Sequence, residues 1–308
     1  MTDEIQVFDR ATVRRHRERS AASLSGCDFL FREVAARLTE RLEEVTRAFP
    51  LALDLGCRNG LLGQGLGRRG AVETLVQCDL SQALVRVAIA RGQPGLVADE
   101  ETLPFAAGSF DLVMSALALH WVNDLPGALL QIRQALKPDG LFLAALFGGE
   151  TLRELRAALL EAESEIESGA SPRVSPFAEL RDAGGLLQRA GFALPVADQD
   201  TITVRYPSAL ALMRDLRAMG ESNAVLDRRK GLSRRTTLAR AAALYEERHR
   251  QADGKVPATF QVLYLTGWAP HESQQKPLAP GSAFARLADA LDSAERSAGE
   301  VAPKTKTR

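Results

Sequence analysis

Between Leu51 and Gly63 the chain reads LALDLGCRNGLLG, a short apolar run that closes on Asp54 and is followed by glycines at 56, 60 and 63. An apolar run ending in glycines predicts a buried strand that turns sharply into a helix. Glycine tolerates positive φ, and its missing Cβ lets a ligand lie against the backbone. In an open α/β sheet the ligand crevice lies beyond the carboxyl ends of the strands. The spacing is G-x-x-x-G-x-x-G. It is not the G-x-G-x-x-G of dinucleotide sites, and no Gly-Lys-Ser/Thr comes after it as a P-loop would require. Arg58 stands between the first two glycines.

Beyond Gly63 strand and helix signals alternate, the sequence sign of a mostly parallel sheet with helices on both faces. Thr74 to Asp79 reads as a second strand and Gly95 to Ala98 as a short third. Phe110 to Met114 reads as a fourth strand and the fully apolar Leu141 to Phe147 as a fifth. Asp79, at the end of the second strand, can accept two hydrogen bonds from a ribose diol. Ser81 is placed to cap the next helix. Upstream, Phe29 to Phe49 carries helical apolar spacing, after a basic cluster of Arg10, Arg14, Arg15, His16, Arg17 and Arg19. That cluster predicts a helix with solvated charges or a basic lid over an acidic partner. Downstream, Thr151 and Glu154 suggest a capping box. Glu179 to Ala190, Leu210 to Met219 and Arg234 to Gln251 read as helices, and Thr201 to Tyr206 and Phe260 to Trp268 as strands. The expected organisation is a helical lid over 1–50, a ligand-binding core over 51–149, a part completing the sheet and substrate side over 150–275, and a disordered tail over 276–308.

Composition excludes several classes. The 308 residues carry 39 basic and 39 acidic side chains, so bulk charge argues for neither nucleic acid nor a membrane surface. No apolar run nears the roughly 20 residues that span a bilayer. Asp3 and Glu4 oppose a transit peptide. The three cysteines, Cys27, Cys57 and Cys78, form no C-x-x-C and read as reduced thiols of a cytoplasmic protein. The four histidines show no metal-ligand spacing, so no metal site is expected.

The glycine loop resembles motif I of class I S-adenosylmethionine (SAM) methyltransferases at Asp54, Gly56 and Gly60, with Arg58 where that family usually has a glycine. The segments Asp99 to Phe105, Phe110 to Val113 and Leu119 to Pro126 are similar to the malonyl-carrier-protein methyltransferases of biotin synthesis. Further on, Phe147 to Leu155, Met219 to Asn223, Val256 to Gln261, and Gly267-Trp268 with His271 to Gln274 resemble the complex I assembly factor family. Its mitochondrial members are described as hydroxylating an arginine of a complex I subunit. The resemblance implies a Rossmann-like class I methyltransferase fold with an N-terminal helical and a C-terminal α+β extension. It implies SAM as cofactor, with Asp54, Gly56 and Gly60 at the methionine part, Asp79 at the ribose, Asp99 and Glu100 at the adenine, and His120 facing the cofactor. His120 is the candidate base, with a packed structural histidine as the equal alternative. Glu221, Asn223, His271 and Glu272 are substrate-side candidates, Glu221 as a grip for a cation such as arginine. Methyl transfer, arginine hydroxylation on a subunit of NADH:quinone oxidoreductase, malonyl-carrier methylation and a non-catalytic assembly role all remain open. Hydroxylation rests on the resemblance alone, because oxygen insertion calls for a redox cofactor or metal. The implied partner is a complex I subunit or a small acyl acceptor, with peripheral contact to a membrane complex compatible with either.

Overall fold

The computed structural model describes residues 6–167, 169–275 and 287–294. The chain divides into two compact units, Met1–His271 and Glu272–Arg308. In the first, two helices, α1 (Arg10–Ser20) and α2 (Phe29–Glu40), precede the sheet. Next come β1 (Leu51–Leu55), α3 (Leu61–Leu66), β2 (Thr74–Asp79), α4 (Gln82–Ile89), β3 (Gly95–Val97), β4 (Phe110–Ala116), α5 (Leu125–Ala135) and β5 (Leu136–Phe147). The remainder is α6 (Arg153–Glu167), α7 (Leu180–Arg189), β6 (Ala193–Tyr206), α8 (Ala209–Ala218), α9 (Arg235–His249) and β7 (Val256–Trp268). In the second unit α10 spans Leu287–Ala290. Of the expected tail, 276–286 and 295–308 lie outside the described residues. Among the described residues no helix is long and apolar enough to cross a membrane.

The seven strands are ordered β3-β2-β1-β4-β5-β7-β6. β1 to β5 run parallel, and β7 is antiparallel to both of its neighbours. Buried parallel strands must be apolar on both faces, and the pleat sends alternate side chains to opposite sides. On β5, Leu141, Leu143, Ala145 and Phe147 join the core under α2, α3, α6, α8 and α9. Phe142, Ala144 and Leu146 enter the core under α5 and α7.

Several local expectations are corrected. α2 ends at Glu40, nine residues before Phe49. β6 begins at Ala193, eight residues before Thr201. The capping box does not form: Thr151 Oγ1 donates to the Gln261 carbonyl and accepts from the Gln261 N–H. Glu154 turns to the N–H and hydroxyl of Thr259. Both side chains therefore fasten the start of α6 to β7. Ser81 does cap α4, accepting from the Leu84 N–H at 3.2 Å.

Candidate functional site

The site is built at the carboxyl ends of β1, β2 and β4. After β1 the chain must double back, and Gly56 (φ 75°) and Gly60 (φ 78°) supply the left-handed turns. A Cβ on Gly56 would overlap the Ala118 methyl, so the glycine is required by close approach as well as by φ. Arg58 takes the same left-handed region at φ 49°, a strained choice for a long side chain. The Asp54 carboxyl group is buried, and neither oxygen has a hydrogen-bond partner among the described residues. Burial, and then the charge of Asp79, push its pKa well above the ordinary range. Asp79 accepts from the Ser81 N–H at 2.8 Å and the Arg58 N–H at 3.1 Å.

Arginines from α1 reach the acids of this crevice. Arg17, 1% exposed, lies 2.5 Å from Glu100 and 3.4 Å from Asp79, with the Ala118 carbonyl at 3.5 Å. Arg10 pairs with Asp99 and Glu100 and donates to the Trp121 carbonyl at 3.0 Å. Burial alone would raise the Glu100 pKa, but Arg17 and Arg10 outweigh it and hold the group at about 2.

Beside the loop, Glu221 collects three donors. Arg58 pairs with one oxygen, while His120 Nε2 (3.1 Å) and Trp121 Nε1 (2.9 Å) meet the other. Burial opposes the charge of Glu221, yet Arg58 and then His120 keep its pKa at about 2. Burial lowers the His120 pKa, against the pull of Glu221, so the imidazole is neutral near pH 7. With Nε2 facing the carboxylate, Nδ1 is buried and has no partner. Arg58 also donates to the Leu117 carbonyl at 2.8 Å and stacks over Phe31 at 4.2 Å. Glu221 borders a cavity of about 330 Å³, whose apolar walls include Leu152, Leu155, Val174, Phe177 and Met213. His120 sits behind Glu221 and lines a separate recess of about 150 Å³. Asn223 lines the large cavity and donates to the Pro172 carbonyl at 2.6 Å.

The fold thus brings Asp54, Gly56, Gly60, Asp79, Asp99, Glu100, His120, Glu221 and Asn223 to one edge of the sheet. His271 is elsewhere, a correction to its substrate-side placement. Because β7 is antiparallel, its last residue, Trp268, pairs with Leu141 near the start of β5. Ala269 then donates to the Gly140 carbonyl. His271 therefore comes at the edge where the parallel strands begin. Glu272 is exposed and opens the second unit. Arg10 and Arg17, which sequence reasoning does not separate from the other charges of the basic cluster, belong to the site. Their signal is the seven-residue spacing, which puts both on one helical face with the buried Val13 between them.

Residues 53–144 match the methyltransferase domain family. The chain is 47% identical to the zebrafish (Danio rerio) protein named arginine-hydroxylase NDUFAF5, mitochondrial, over 92% of this chain and 89% of that one. It is 36% identical to the malonyl-[acyl-carrier protein] O-methyltransferase of Methylovorus sp., over 88% and 92%. The chain belongs to the methyltransferase family that holds both. The YcgJ protein of Bacillus subtilis shares the fold, with a TM-score of 0.53 at 15% identity over 76% of this chain and 98% of that one.

Membership makes S-adenosylmethionine the cofactor, and the donor set fits it. The partnerless Asp54 oxygens suit an ammonium, Asp79 suits a ribose diol, and the Gly56–Gly60 turn admits a ligand against the backbone. Space is another matter. The cavity bounded by Asp54, Gly56, Asn59 and Phe31 holds about 10 Å³, far below the few hundred that a ligand of this size needs. The crevice is filled by Arg17 from one side and Arg58 from the other.

Proposed function

We propose that this protein is a SAM-dependent methyltransferase acting on a cationic side chain, arginine, of a protein subunit of the respiratory NADH:quinone oxidoreductase. The reading is carried by the apolar cavity ending on Glu221, one arginine away from the cofactor loop. Its walls suit the alkyl stem of arginine, and the buried carboxylate suits a guanidinium. Arg58 already demonstrates that a guanidinium can sit on this carboxylate. An arginine acceptor would take the place on Glu221 that Arg58 now holds, whereas a carboxylate substrate such as a malonyl group would need a cation released from its own acid. Arg173, which lines the cavity, is held by Glu163 and Glu167, and Arg58 by Glu221.

When bound, SAM supplies an electrophilic methyl group, so the protein's work is to align, shield and deprotonate. Asp54 and Asp79 would hold the cofactor, with Asp99 and Glu100 at its adenine. Glu221 orients the acceptor. His120 fixes Glu221 through Nε2.

Arginine hydroxylation is the second reading, favoured by the name of the 47%-identical relative. Intact-mass spectrometry of the oxidoreductase subunits from a deletion strain separates the two. Loss of one methylene supports methylation, loss of one oxygen supports hydroxylation, and unchanged masses overturn both. In a complemented strain, Glu221→Gln is expected to leave the same mass deficit as the deletion.

A further inference from the structure

We propose that α1 is a displaceable plug of the cofactor site, and that cofactor entry drives Arg17 off Asp79 and Glu100. The inference rests on the cofactor assignment above and extends it to the control of loading.

The argument is one of occupancy. Arg17 lies between the ends of β2 and β4 and the loop after β3, in contact with Asp79, Ala118 and Glu100 together. That is the nucleoside half of the crevice. A guanidinium cannot share Asp79 and Glu100 with a ribose and an adenine. Removing it without replacement would leave Glu100 with Arg10 alone and Asp79 with only the N–H groups of Ser81 and Arg58, which is unfavourable for buried carboxylates. The exchange is therefore coupled: the plug leaves as a ligand offering its own donors arrives. The Nε atoms of Arg17 and Arg10 are buried and make no hydrogen bond among the described residues, so the plugged state is itself imperfectly satisfied. A contact with such a deficit is suited to reversal.

Displacement would also reach the substrate side, because α1 is sewn to the segment that carries Glu221. His16 Nδ1 lies 3.0 Å from the Ser222 carbonyl. The Asp9 N–H donates to the Ala224 carbonyl at 2.8 Å, and Arg228 donates to Asp9 and Thr12. A Cβ on Gly220 would press on Ser20. On the far side of the helix, Glu18 caps α4 by accepting from the N–H groups of Gln82 and Ala83. Withdrawing α1 thus loosens residues 220–228 and the start of α4 in one movement. Cofactor loading and access to Glu221 become linked through one helix.

The test is hydrogen exchange of the full chain with and without S-adenosylhomocysteine, alongside calorimetric affinities for wild type and Arg17→Ala. Exchange over 10–20 and 220–228 is expected to rise on binding while 54–63 becomes protected. Arg17→Ala is expected to bind at least tenfold more tightly than wild type. A wild type that does not bind, beside an Arg17→Ala variant that does, is the same result in stronger form. Protection of 54–63 with no rise over 10–20, or an Arg17→Ala affinity equal to or weaker than wild type, overturns the plug and leaves the cofactor assignment standing. Absence of binding by both proteins overturns the assignment and the plug with it.

Discussion

Glu221 is the residue on which the two halves of the site meet, and its environment makes it testable through stability as well as activity. Its carboxylate is buried among Arg58, His120 and Trp121. Truncating one partner of a buried ion pair leaves the other charge unmatched, at a cost of about 3–5 kcal/mol. Glu221→Leu is expected to lose that much in urea denaturation, and Arg58→Met combined with Glu221→Leu to recover most of it. Additive losses in the cycle would show that the pair is not coupled. His120 gives a second readout. Its folded pKa lies below the ordinary 6.5, so acid protonates the unfolded chain first, and stability falls as pH drops below 6.5. Glu221 and Glu100, held at about 2, add their own losses only below their ordinary 4.5. His120→Asn is expected to flatten the limb between 6.5 and 4.5, by at most about 1.4 kcal/mol per pH unit. An unchanged slope in thermal melts against pH would remove His120 from this role. Gly56 carries a third expectation. Its added Cβ meets Ala118, so Gly56→Val damages the fold as well as the pocket, beyond the binding loss that the glycine pattern alone suggests.

At the scale of elements, α1 depends on a local device. Asp9 caps it by accepting from the Thr12 N–H at 3.0 Å. Asp9→Ala is expected to cost about 1 kcal/mol and to fray the helix, seen as faster hydrogen exchange over 10–20 with the sheet unaffected. The element is legible in the sequence as basic and helical, and a lid is one of two readings of it. Which arginines turn inward depends on acids from β2 and the loop after β3, distant in sequence. β1, β4 and the second half of β5 are legible because a parallel strand buried on both faces must be an apolar run. The first half of β6 is not. It is an edge strand, its Ala193–Asp200 stretch is partly exposed, and Asp198 and Asp200 there pair with Arg41 and Arg37 of the N-terminal helical region. Local chemistry there resembles a loop, and only pairing with β7 makes it strand. The reversal of β7 is equally hidden, and it carries His271 away from the edge where the Glu221 cluster gathers.

For the whole molecule, the site is held in place at the expense of global stability, and Asp54 is where this can be measured. The residue is next to last in the inner strand β1, among the most buried parts of the sheet, with two oxygens that nothing among the described residues hydrogen-bonds. A fold selected for stability alone would not keep a carboxylate there; a fold that must receive a cationic cofactor would. Because the folded pKa lies well above 3.8, the folded chain binds more protons than the unfolded one between those two values. Stability in that window therefore falls as pH rises. Asp54→Asn removes the titration. It is expected to raise the denaturation free energy of the free protein by about 1–3 kcal/mol near neutral pH, the scale of a buried unsatisfied group. The gain should shrink towards acid pH, where the wild-type carboxyl is already neutral. The same change should weaken SAM binding at least tenfold, so saturating cofactor takes at least about 1.4 kcal/mol off the variant's advantage over the wild type. Parallel urea titrations with and without SAM at two pH values check both halves. A variant that is less stable at every pH, or one that binds SAM as wild type does, would mean that Asp54 serves the sheet and not the ligand.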